Sequence, residues 1–212
     1  MEKKDLIQFM REETTQWSSK SDVSIELPFD VLPSEYLSFM EKDIKDNTKH
    51  GLINALSNAK RALDCQIESL LYIFCLKNYS DKNRFNIPKK IEILNSIGII
   101  APRILNKINK VRNTVEHDFY CPSEEEVQDF ADVIMLFNSY TDKYLYSFPS
   151  DCEIESDEIK DYWIAPSFCR DEQVIVVEVI SDKYSKIEMI FKDEDCEFIE
   201  FLKLYIKIGY DI

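Results

Sequence analysis

Two histidines occur in this chain of 212 residues, His50 and His117, so imidazole acid–base chemistry has only two places to reside. His117 follows Arg112 and Asn113 in the run VRNTVEHDFY. On a helix, Asn113 and His117 stand at i and i+4 and share a face, while Arg112 lies about 100° around the axis and reaches the same cleft through its long side chain. An imidazole titrates near neutral pH and a guanidinium is a fixed cation, so the pair suits a reaction in which a proton moves while negative charge builds on oxygen. The same residues also admit an ordinary reading: Arg112 and Glu116 can form a surface ion pair, and a histidine is favoured near a helix C-terminus by the macrodipole. His50, beside Gly51 at an expected helix junction, has no partner at a recognisable spacing and reads as structural.

Other chemistries have no signature. There is no P-loop, no G-x-G-x-x-G and no G-x-S-x-G, which leaves no cofactor to expect. The six cysteines (65, 75, 121, 152, 169 and 196) include no C-x-x-C pair, and several fall within apolar helical patterns. Buried free thiols, no disulfide and no metal site are expected. The formal charge of -14 argues at first against a polyanionic partner. Its distribution changes that: residues 1–32 carry 4 basic and 7 acidic side chains, residues 33–147 carry 15 and 16, and residues 148–212 carry 7 and 17. Within the near-neutral middle, residues 77–112 hold nine cations, Arg103, Lys107, Lys110 and Arg112 among them, against Asp81 and Glu92. That stretch runs directly into the Arg112–His117 motif, although a solvated helix face explains such a charge run equally well.

The elements that position the motif are expected to be helices, since glycine is scarce, with 3 in the chain, and long stretches lack proline. Ser34 is placed to cap a helix carrying Tyr36, Leu37, Met40 and Ile44. Leu52, Leu56, Ala59, Leu63, Ile67, Leu70, Leu71 and Phe74 then hold one apolar stripe until NYSDKN breaks it. A short helix near residues 88–97 stops at Gly98, and Pro102 opens another with Ile104, Ile108, Val111, Val115 and Phe119 on its stripe. Cys121-Pro122 ends that helix, and Ser123-Glu124-Glu125-Glu126 supplies a capping box for a last long helix to about Tyr146. Beyond Pro149 an acidic spacer precedes QVIVVEVI and SKIEMIF, which read as a hairpin, and a closing helix or strand. The expected organisation is an N-terminal extension at 1–32 with a short helix and a strand near residues 23–27, a helical bundle at 33–147 and a small acidic α+β appendage at 148–212. The extension is expected to pack on the appendage. The fold class expected is mainly α.

The motif Arg112-Asn113-x-x-x-His117 resembles the R-x4-H signature of the HEPN superfamily, in the form with a polar residue after the arginine. The match spans roughly residues 33–147 and includes the long preceding helix and the Pro-Ser-Glu-Glu-Glu start of the next one. The resemblance implies an antiparallel helical bundle with the motif at the end of its third main helix. It implies RNA cleavage by 2′-hydroxyl attack without a metal, with His117 as general acid or base, Arg112 stabilising the charged phosphorane and Asn113 orienting the phosphate or the histidine. A homodimer would complete the site by bringing two motifs across a two-fold axis. Arg103, Lys107, Lys110 and Tyr120 are the expected RNA contacts. A toxin or antiviral-defence effector follows, with an antitoxin or regulatory protein as a further partner. Some HEPN toxins carry a modifiable tyrosine two residues after the histidine; here Phe119 occupies that position and Tyr120 comes one later.

Family members without activity exist, so a non-catalytic dimerisation module that binds a nucleotide or a protein is the competing reading. The acidic C-terminal part, at -10 over residues 148–212, reads as a solubilising surface, with docking of a basic partner or occupation of the bundle's own basic cleft as alternatives. No run of eighteen apolar residues exists and MEKKDLIQFMREE has no apolar signal core, so a cytoplasmic protein without membrane contact is expected.

Overall fold

The computed structural model describes residues 1–12, 15–46, 48–99, 120–156, 162–181 and 184–210. They hold seven helices and a five-stranded antiparallel sheet, in two compact units: Met1–Ile25 with Leu70–Ile100 and Tyr144–Ile212, and Glu26–Ser69 with Ala101–Lys143. The chain is therefore α+β, and the mainly α expectation of a bundle with a small appendage is overturned.

The sheet belongs to the first unit. Its order follows the sequence: β1 (Thr15–Val23), β2 (Phe148–Ser156), β3 (Tyr162–Cys169), β4 (Val174–Ser181) and β5 (Tyr184–Phe191). The expected hairpin is present as β4 and β5, where Val177 pairs with Met189 and Glu178 with Glu188. The N-terminal strand falls at residues 15–23 rather than 23–27, and it pairs with β2 from Thr15↔Ser156 to Val23↔Phe148, with two register shifts. What had read as an acidic spacer is β2, in which Ile154 and Ser156 point into the core while Glu153 and Glu155 point away.

The covered face of the sheet carries Ile164, Ile175, Val177, Val179 and Phe191, and it packs on α7 (Phe198–Tyr210) through Phe198, Phe201, Leu202 and Tyr205. Phe191 stacks on Phe201 at 4.7 Å, and Phe168 meets Tyr205 at 4.9 Å. The α1 helix (Lys3–Met10) buries Leu6, Ile7, Phe9 and Met10 in the same core. On the other face Trp163, Ile180 and Ile190 stay partly exposed among Glu155, Glu178 and Glu188.

Two further helices of this unit, α4 (Lys77–Lys82) and α5 (Ile87–Ser96), follow the end of α3 (Lys49–Ile73). Gly98 ends α5 with φ +94°, as its type predicts. Cys75 makes the α3–α4 turn with φ +56°, and Gln173 makes the β3–β4 turn with the same value. Gln173 is buried: its Oε1 accepts from the backbone N–H of Lys77 at 2.8 Å, and its Nε2 donates to the Arg170 carbonyl at 2.6 Å and the Tyr72 carbonyl at 3.3 Å. Leu76, at the N-cap of α4, has no side chain able to cap, and Gln173 supplies that bond from the sheet. A positive-φ glutamine tied in this way explains how a meander forms with so few glycines.

The second unit contains α2 (Pro33–Asp46), α3 up to Ser69 and α6 (Glu124–Tyr146) up to Lys143. The α2 helix starts one residue before the expected cap at Ser34: Pro33 is its first residue, and Glu35 reaches back to accept from the Leu32 N–H at 2.9 Å. Leu56, Ala59, Leu63 and Ile67 of α3 are buried as their spacing predicts, and so are Val127, Ala131, Ile134 and Phe137 of α6. Among the described residues no helix is long and apolar enough to cross a membrane.

Candidate functional site

Arg103, Lys107, Lys110, Arg112, Asn113 and His117 lie outside the described residues. Of the expected site residues, Tyr120 alone is described, at the approach to α6. Its ring is 43% exposed and its hydroxyl donates to Glu126 Oε2 at 2.8 Å. The same oxygen accepts from the Ser123 N–H at 2.8 Å, and Ser123 Oγ accepts from the Glu126 N–H at 3.2 Å. This is the reciprocal capping box that the sequence predicts, three positions beyond Tyr120. The Ser123 backbone bond, followed by the Tyr120 hydroxyl, holds the Glu126 carboxyl below its ordinary value, and the carboxylate in turn raises the Tyr120 phenol. The Tyr120 hydroxyl is thus engaged in starting α6, while the residue stays partly exposed.

A buried polar cluster joins α3 to α6 within the second unit. Gln66 Nε2 donates to Thr141 Oγ1 at 2.7 Å and to Asp142 Oδ1 at 3.3 Å, and the Thr141 hydroxyl donates to the Phe137 carbonyl at 2.8 Å. Burial raises the Asp142 carboxyl, and the Gln66 bond partly offsets that. Asn138 is 2% exposed, and its amide has no partner among the described residues. The spacing of α3 and α6 predicted apolar positions along this face and gave no warning of Gln66 or Asn138. The cluster ties α3 to α6 at a fixed register.

A cleft of about 450 Å³ opens between α2 and α3. Phe39, Lys42 and Asp43 of α2 form one wall, and Asn54, Asn58 and Arg61 of α3 form the other. Gly51 makes the approach of these helices feasible, because a Cβ there would lie 2.6 Å from the Asp43 carbonyl oxygen. Asn58 Nδ2 donates to Asp43 Oδ2 at 2.8 Å across the cleft, and Arg61 Nη1 donates to Asn58 Oδ1 at 3.2 Å. His50 is exposed and accepts from Asn54 Nδ2 at 3.3 Å, a contact within α3. The cleft was not anticipated from the sequence, where Lys42 and Arg61 look like solvated charges. The signal that points to it is the polar stripe Asn54-Asn58-Arg61 at helical spacing beside Gly51.

The described cysteines 65, 75, 121, 169 and 196 are free thiols. Burial pushes Cys65 up to about 11 and Cys75 up to about 12, so neither supplies a thiolate near neutral pH. No protein-family model matches the chain, and neither a curated protein nor a solved structure matches it.

Proposed function

We propose that the chain is a metal-independent endoribonuclease of the toxin or antiviral-defence kind, with Arg112, Asn113 and His117 as its reacting group. In this reading the RNA 2′-oxygen attacks phosphorus, the bond from phosphorus to the 5′-oxygen breaks, and a 2′,3′-cyclic phosphate is left. His117 takes the proton from the 2′-hydroxyl or returns one to the leaving oxygen, and Arg112 balances the charge of the phosphorane. Asn113 orients the phosphate or the imidazole. Arg103, Lys107 and Lys110 hold the RNA backbone, Tyr120 offers a stacking ring, and a homodimer brings two motifs together.

The observation that carries the reading is the run Arg112-Asn113-x-x-Glu116-His117 placed just before a helix start. Support from the described residues is local: Ser123, Glu126 and Tyr120 form the capping box expected directly after the motif.

Induced expression in bacterial cells tests the biology. Wild type should arrest growth and fragment cellular RNA, while Arg112→Ala and His117→Ala, expressed to the same level, should do neither. Growth arrest retained by both variants would move the reading to a binding module.

A further inference from the structure

From the cleft between α2 and α3 we infer a nucleotide-binding site, for a phosphate with its attached base, presented either as a free nucleotide or as one unit of a single-stranded RNA. The inference stands on the cleft's own geometry and does not depend on Arg112 or His117.

Three features select this ligand. Lys42 and Arg61, one on each wall, have no carboxylate within salt-bridge distance among the described residues, whereas Lys60, Lys77 and Lys89 each pair with an acid on their own helix. Two cations without an ion-pair partner among the described residues, facing one space, suit an anion, and the planar fork of Arg61 suits phosphate in particular. Phe39 lies on the rim at 40% exposure, with Tyr36 edge to face at 6.1 Å and the Lys42 ammonium 5.8 Å from its ring centroid, so a base that stacks on the ring takes the place of Lys42 there and leaves the ammonium to the phosphate. The remaining wall is amide and carboxylate rather than apolar: Asn54, Asn58 and Asp43 offer donors and acceptors to a base edge or a ribose hydroxyl. Asp43 also lines the cleft and keeps its charge while its Oδ2 accepts from Asn58, so the two cations outnumber the one carboxylate. A lipid tail would find one aromatic ring among charged and amide side chains, and a metal ion would find one carboxylate.

The size also fits. A cleft of about 450 Å³ falls in the range of roughly 300 to 1,000 Å³ usual for small-molecule sites. Gly51 keeps α2 and α3 close at one end, and beyond it the polar stripe of α3 faces the cleft.

The test measures binding of two probes in EDTA: AMP by calorimetry, and a fluorescent 2′-O-methyl oligoadenylate of twelve nucleotides by anisotropy. The methylated oligomer cannot be cut by 2′-hydroxyl attack, so binding is read separately from any cleavage. Lys42→Ala/Arg61→Ala should weaken binding at least tenfold and flatten the dependence of log K on log salt by about 1.4 for the oligomer, two contacts at about 0.7 each. Phe39→Ala should weaken binding about tenfold. Lys203→Ala, an exposed cation on α7, should change nothing. Binding of AMP identifies a free nucleotide as sufficient, whereas binding of the oligomer alone identifies the polymer as the source. Failure of wild type to bind either probe, or binding that the double variant leaves intact while its melting temperature matches wild type, overturns the inference.

Discussion

Replacing Gln173 by alanine removes the side chain that joins the β3–β4 turn to the start of α4. Two of its bonds are short, to the Lys77 N–H at 2.8 Å and the Arg170 carbonyl at 2.6 Å, and two are long, to the Tyr72 carbonyl at 3.3 Å and the Asn78 N–H at 3.4 Å. Each bond of this kind contributes about 1 kcal/mol net, and a buried partner left unpaired costs about 1 to 3 kcal/mol. The long bonds count for little, so Gln173→Ala should cost about 3 kcal/mol. Backbone strain gives an internal control: at φ +56° a residue with a Cβ is disfavoured by about 1 kcal/mol relative to glycine. Gln173→Gly loses the same hydrogen bonds and should therefore cost about 2 kcal/mol. Urea titrations followed by circular dichroism read both values, and thermal melts should show losses of about 6 to 12 °C for the alanine variant. An alanine variant within about 0.5 kcal/mol of wild type, the range of an ordinary surface change, would refute the reasoning. So would a glycine variant less stable than the alanine variant.

Three other outcomes follow from particular contacts. Gly51→Ala should lower stability by about 1 to 3 kcal/mol, because its Cβ meets the Asp43 carbonyl oxygen at 2.6 Å; a rise in melting temperature, the usual effect of this change in a helix, would contradict the close approach. Glu126→Gln keeps the capping geometry and removes the charge, so wild type should be the more stable by about 0.3 to 1 kcal/mol at pH 7. The Glu126 carboxyl titrates below its unfolded value of 4.5, so this advantage is present above that pH and is lost as pH falls through the lowered folded value; an unchanged gap at pH 3 would argue against the charge. Cys65 and Cys75 should resist alkylation at pH 7.5 in the folded protein and react once it is unfolded, as mass spectrometry of labelled peptides will show. Rapid labelling of Cys75 in the folded state would contradict its burial.

The parts of the fold that were legible are those in which apolar residues recur at a strong period. The α3 and α6 helices and the β4–β5 hairpin fall where the stripes and the alternation of residues 173–191 place them, and the Ser123–Glu126 capping box was readable as a four-residue pattern. The β1 and β2 strands were not legible. TQWSSKSDV is almost wholly polar, and DCEIES carries its alternation on a single isoleucine among acids. Their pairing joins residues 15–23 to 148–156, a contact that no local window reports. The β3–β4 turn was hidden because glutamine, rather than glycine, holds the positive φ. At the candidate sites, Arg112 and His117 announce themselves by type and spacing. The α2–α3 cleft needs two helices brought together by Gly51, so its residues look ordinary one helix at a time.

Cleavage of total cellular RNA by purified protein in EDTA tests the proposed activity most directly, with wild type, Arg112→Ala and His117→Ala compared and the product ends mapped. Cutting by wild type alone, with 2′,3′-cyclic phosphate or its hydrolysed form at the new ends, is the predicted result. No cutting by folded, dimeric wild type, or equal cutting by all three proteins, would contradict it.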